Sequence, residues 1–152
     1  MRAALRAALA HVLVPLLAGG LLYVGARSEE LLYWRWARAI GIEHALRAVR
    51  EALSSLAHAP SWVRFTLPDA LWVYALTATV CLLHRQPRGY LLVPLALGPG
   101  AELLQAAGVL SGTFDPLDLI ATTLALVLGA ALTAPGSPRV VPALRAPSGR
   151  AR

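Results

Sequence analysis

The chain has 152 residues, 57% of them hydrophobic and only 14% charged, with a mean hydropathy of +0.60. A soluble domain carries about 25% charged residues, so this composition excludes an ordinary soluble catalytic domain. The formal net charge is +6 and all fourteen basic residues are Arg; they stand between apolar blocks rather than in one patch, which argues against nucleic acid and for a membrane surface.

The charge deficit falls in four blocks of about 18–22 residues, the length a helix needs to cross a hydrocarbon core. The expected fold is an all-α membrane protein: a bundle of four transmembrane helices with an amphipathic helical segment between helices 1 and 2. One membrane domain is expected over residues 1–134.

The first span is expected over about 7–25, after Arg2 and Arg6, with Pro15 and the Gly19-Gly20 pair inside it. Such residues are ordinary in membrane helices, so a retained span is preferred over a signal peptide cleaved after Ala26. His11 reads as a polar group near the helix end.

Residues 28–58 form a mixed segment. Ser28 is a candidate cap for a helix with Glu29 and Glu30 in its first turn. Gly41 breaks that run. From Glu43 to Ala57 the residues Leu46, Val49, Leu53 and Leu56 recur at helical spacing, with Arg47, Arg50, Glu51 and Ser54 opposite. That pattern predicts an amphipathic helix docked on the bundle or lying in the headgroup layer.

The second span is expected over about 67–84. Thr66 and Asp69 form a capping-box pattern with Pro68 in the first turn. Cys81 lies in this apolar block, so no intramolecular disulfide can form and packing is its expected role. The third span is expected over about 90–110, loosened at Gly98-Pro99-Gly100. The fourth, about 116–134, has Asp115 as N-cap, Pro116 as its first residue and Asp118 in its first turn. Residues 135–152, rich in Pro, Gly, Ser and Arg, are expected to form a disordered basic tail.

Four spans put both termini on one side. Eight Arg residues fall on that side and six on the other, where Glu29, Glu30, Glu43 and Glu51 dilute them. The positive-inside rule then places both termini in the cytoplasm. Tyr23, Tyr33, Trp34, Trp36, Trp62, Phe65, Trp72 and Phe114 gather at the opposite boundary, as an aromatic belt does.

Following each span in direction brings Asp69, Glu102, Gln105, Asp115 and Asp118 to the outer end of the bundle. Glu102 and Gln105 are three apart, hence on one helix face. Asp69, Asp115 and Asp118 each have a capping reading, and Gln105 can bridge helices. Glu102 needs no cap at its position, and a carboxylate in an apolar setting needs a partner or a proton. Arg64 is the nearest basic candidate by sequence, with His58 behind it. Three roles suit such a cluster: acid–base work on a lipid-linked substrate, a Mg²⁺ or Ca²⁺ site, or a seat for a cationic group. E-x-x-Q and D-x-x-D are weak motifs. No resident cofactor is implied, and no Ser-His-Asp, phosphate-loop or HExxH pattern is present.

The run Glu102-x-x-Gln105, Gly112-Thr113-Phe114 and Asp118 resembles the VanZ-like family of small bacterial membrane proteins, named for a member associated with low-level resistance to teicoplanin. The resemblance covers about residues 67–133, including Asp69 and Tyr74. Gly112 stands where the family has Arg, Thr122 where it has Asn, and Ala125 where it has Gly. The resemblance implies a multi-pass protein of the bacterial inner membrane. It would bind, or act on, a lipid or cell-wall-related molecule at the outer face, with other membrane proteins as further partners. The contrasting expectation is a non-catalytic assembly or scaffold subunit whose polar cluster only ties helices together.

Overall fold

The computed structural model describes residues 2–84 and 86–134, and these are all-helical. The expected tail, 135–152, lies outside the described residues, as does Arg85. Three helices are long and apolar enough to cross a membrane: α1, Arg2–Ala26; α4, Ser61–Leu83; and α6, Pro116–Thr133. Two short helices, α2 (Leu32–Ala39) and α3 (Glu43–Ala52), join α1 to α4. The third expected span, about 90–110, is a shorter helix, α5, over residues 92–106.

Both irregular helices owe their shape to proline. Pro has no N–H for the carbonyl one turn back, so the chain rewinds around it. In α1 the stretch Leu9–Leu13 is π-helical, and the Val14 N–H donates to Leu9 O, five residues back. In α5 the stretch Ala96–Gly100 is π-helical around Pro99. At about 1.5 Å per residue, α5 reaches only about 22 Å, short of a hydrocarbon core of about 30 Å.

Helix α4 is the centre. Of its apolar window 44% is buried within the protein, against 11% for α1 and 22% for α6. Helix α1 packs on one side of α4, while α6 and the π-turn of α5 pack on the other. Without a hydrophobic drive between helices in lipid, close approach depends on small residues. A Cβ on Gly19 would lie 2.7 Å from Trp72 Nε1, and one on Gly129 would lie 2.9 Å from Thr77 Cβ. A Cβ on Gly98 would lie 2.6 Å from Val73 Cγ2. These three glycines are where α1, α6 and α5 respectively touch α4. The face that α6 turns inward is Thr122, Ala125, Gly129 and Thr133.

Five threonine hydroxyls in the long helices are satisfied within their own helix. Thr77, Thr79, Thr122, Thr123 and Thr133 each donate to the carbonyl four residues back, at 2.6–2.8 Å. One polar contact crosses between helices near mid-span: His11 Nδ1 and the Tyr74 hydroxyl, 2.6 Å apart. His11 is therefore an interhelical tie rather than a helix-end group.

Two capping expectations are corrected. Helix α4 begins at Ser61, after Pro60, so Thr66, Pro68 and Asp69 lie inside it and form no capping box. Proline inside the helix is tolerated where neighbouring helices pack around it, and Pro68 is buried beside Gly19. Ser28, Glu29 and Glu30 lie in the turn between α1 and α2, and α2 has no side-chain cap. Glu29 instead reaches Arg47 at 2.8 Å and Arg50 at 3.8 Å.

The amphipathic segment is α-helical to Ala52 and then tightens into a 3₁₀ turn, Ser54–His58. Its apolar stripe faces the bundle: a Cβ on Gly25 would lie 3.0 Å from Leu56 and 3.1 Å from Leu53. Trp34, fully buried, lies beneath the guanidinium groups of Arg47 and Arg50, at 5.7 and 6.0 Å from the ring centre. The Arg47 guanidinium, donating to Glu43 at 2.8 Å, holds the Glu43 carboxyl below its ordinary range. Trp36 and Ile40 point outward, 62% and 70% exposed, as expected of a helix lying at the membrane surface.

Candidate functional site: a polar cavity beside an aromatic groove

The end of α1, the first turns of α4, the end of α5 and the start of α6 meet at one end of the bundle. There the structure forms a cavity of about 350 Å³ lined by Asp69, Trp72, Gly98, Glu102, Gln105 and Thr122, with apolar side chains completing the wall. Asp69 and Trp72 are three apart on α4, so one helix face supplies both. Glu102 and Gln105 do the same from α5. Gly98 and Thr122 leave the space that larger residues would fill.

Asp115 caps α6, accepting from the Leu117 N–H at 2.8 Å, with Pro116 as first helical residue. Its own N–H donates to Glu102 Oε2 at 3.4 Å, which ties the start of α6 to α5. Asp118 sits one turn into α6; its Oδ1 is buried and accepts no hydrogen bond. The charges of Glu102 and Asp118 both act on Asp69. Asp69, Glu102 and Gln105 thus share the cavity, Asp118 stands close behind them, and Asp115 is a cap at the rim.

Gln105 has a further role. A Cβ on Gly112 would lie 2.8 Å from the Gln105 amide carbon. Gly112 also has φ +143, a conformation that favours glycine. Gln105 therefore packs against the bare backbone of the α5–α6 link.

Arg64 does not join this group. Its guanidinium lies over Phe65, 5.0 Å from the ring centre, and donates to Ala57 O at 3.2 Å. Arg64 projects toward the 3₁₀ turn and stays with the α3–α4 connection. The basic residue beside the carboxyls is Arg27, 4.0 Å from Asp69. Arg27 also donates to Phe65 O at 3.4 Å and lies over the Tyr23 and Phe65 rings. Sequence reasoning missed it, although a signal existed: Arg27 is the first charge after span 1, at the end where Asp69 was expected. Among the described residues, Glu102, Asp115 and Asp118 have no basic side chain within ion-pair distance. No three His, Cys, Asp or Glu side chains among the described residues converge to hold a metal ion.

On the far side of Trp72 lies a second hollow of about 460 Å³, lined by Gly20, Tyr23, Leu32, Tyr33, Trp36 and Trp72 among others. Tyr23 bridges its walls, with ring centres 5.0 Å from Trp72 and 5.5 Å from Tyr33. No family model, curated protein or solved structure matches the chain significantly. The class that fold and site define is a small helical protein with three helices long and apolar enough to cross a membrane and a polar cavity at one end.

Proposed function

We propose that this is a bacterial inner-membrane protein of four spans and VanZ-like type that binds an amphipathic envelope molecule at the outer face, holding its polar head in the cavity of Asp69, Glu102 and Gln105. The observation that carries the reading is Glu102. It is the one charged residue of α5, without a basic partner, lining a cavity of about 350 Å³. Ionisable groups kept in such a setting mark functional sites by default. In this reading α5 is the third of the four spans, with the links at either end making up its missing length. Both termini are cytoplasmic and the aromatic end faces outward. The cavity is a binding site, and of the four carboxyl groups at this end of the bundle Asp69 and Glu102 line it. Asp115, as a plain helix cap, favours the second reading, an assembly subunit whose polar residues only fasten helices.

The test is lipid co-purification. Wild type and Glu102→Gln would be purified from the same membranes at matched yield, and the bound molecules identified by mass spectrometry. Enrichment of one polar-headed amphiphile in wild type, lost in Glu102→Gln, is expected. Equal or absent enrichment in both would leave the assembly reading. Reporter fusions at Gly112 and after Thr133 test the sidedness: Gly112 should report the outside and Thr133 the cytoplasm.

A further inference from the structure

The groove and the cavity are neighbours across one side chain. Trp72 lines both, so the two hollows meet at one side chain. The two ends differ in chemistry. The groove wall is almost entirely apolar and aromatic, at a volume typical of small-molecule sites. The cavity end carries Asp69 and Glu102, with Asp115 and Asp118 adjacent, against the single guanidinium of Arg27. Arg27 is itself turned to the Phe65 carbonyl and to two rings. An anionic head would meet like charge there, whereas a cation would meet the Glu102 carboxylate, which has no basic partner, and the Trp72 ring.

We propose that groove and cavity together hold one amphiphile with an amine-bearing, cationic headgroup, its head at Asp69 and Glu102 and its hydrocarbon chain between Tyr23, Tyr33, Trp36 and Trp72. This rests on the binding reading above and names the class of ligand. Gly20 leaves the groove open: it is part of the wall, and a Cβ built on it meets nothing within 4 Å. A second apolar groove, lined by Leu9, Leu13, Leu16, Thr79, Leu82 and Leu83 at the other end of the bundle, has no charged residue in its lining among the described residues and serves as an internal control for bulk lipid.

The test uses full-length protein in nanodiscs of neutral phosphatidylcholine and two photoreactive probes of equal chain length, a long-chain primary amine and the matching alcohol. Cross-links are mapped by mass spectrometry. The amine should label the Tyr23–Trp72 groove about tenfold more than the alcohol, a ratio set by one well-placed ion pair. The control groove should show no preference. Asp69→Asn with Glu102→Gln should abolish the preference while the alcohol still labels. Gly20→Leu should lower labelling by both probes roughly tenfold by filling the groove. Equal labelling by amine and alcohol in wild type overturns the proposal, and so does undiminished amine labelling in Gly20→Leu, which decides the matter if the double variant does not fold. Co-purification of a neutral or anionic amphiphile sinks the cationic class and leaves the cavity reading standing; co-purification of nothing sinks both.

Discussion

Exchanging volume between Gly98 and Val73 tests how the site is held together. A Cβ at position 98 would stand 2.6 Å from Val73 Cγ2, 3.3 Å from Val73 Cγ1 and 3.4 Å from Thr122 Cβ. Both neighbours are buried, so neither can swing into solvent. Overpacking of this kind costs about 1–3 kcal/mol, partly offset by the helix preference of Ala over Gly, up to about 1 kcal/mol. Gly98→Ala should therefore lose about 1–2 kcal/mol. Val73→Ala removes two methyl groups, worth about 1.6 kcal/mol by transfer, and leaves a cavity besides. If the singles were additive, the pair would lose about 3–4 kcal/mol. In the double variant the new Cβ occupies the space the valine vacates. The loss should then fall at least about 1 kcal/mol short of the sum. Thermal unfolding in detergent reads this as a melting temperature about 3–6 °C above the additive value. Gly20→Ala is the control, because its Cβ meets nothing within 4 Å. Additive singles, or a Gly98→Ala variant that melts like Gly20→Ala, would refute the claim that a bare backbone at Gly98 sets the α4–α5 distance.

Three further outcomes are expected. Asp115→Ala should lower stability by about 1 kcal/mol, because the Leu117 N–H loses its acceptor; Asp115→Ser should recover most of this in the same melt. Tyr74→Phe should cost about 0.6–1.7 kcal/mol, the range for one hydrogen bond between membrane helices, and should cost nothing further in a His11→Phe background. Glu43 supplies a pH effect. Its folded carboxyl titrates below the ordinary value of 4.5, so the ion pair with Arg47 stabilises fully above about pH 4.5 and is lost as pH falls through the lower, folded value. Melting curves taken from pH 6 downward should show a drop in that window, and Glu43→Gln should shrink it.

The site residues divide by what kind of information placed them. Asp115 and Pro116 were legible as a helix start because capping is local: a side chain reaches an amide two residues on. The same local logic failed at Thr66 and Asp69. A capping box looks identical in sequence whether or not a helix already runs through it. Here Ser61 to Phe65 extends the helix upstream, and packing against Gly19 keeps Pro68 inside it. Glu29 failed in a related way. Its charge suited a helix N-terminus, but Arg47 on a later helix offered a closer partner at 2.8 Å.

What the sequence determined alone was what depends on length, hydropathy and order along the chain: helices in place of strands, three of the four expected apolar spans as long helices, the loosening at Pro99, and the arrival of Asp69, Glu102 and Asp118 at one end. Helices that run in alternating directions along the chain bring about that last result. Tertiary structure decided which side chains meet. It chose Arg27 over Arg64 as the basic neighbour, put Trp72 between a cavity and a groove, and joined His11 to Tyr74. Those choices turn on helix rotation and distance. Both are set by which glycines touch which side chains, and hydropathy carries no record of that.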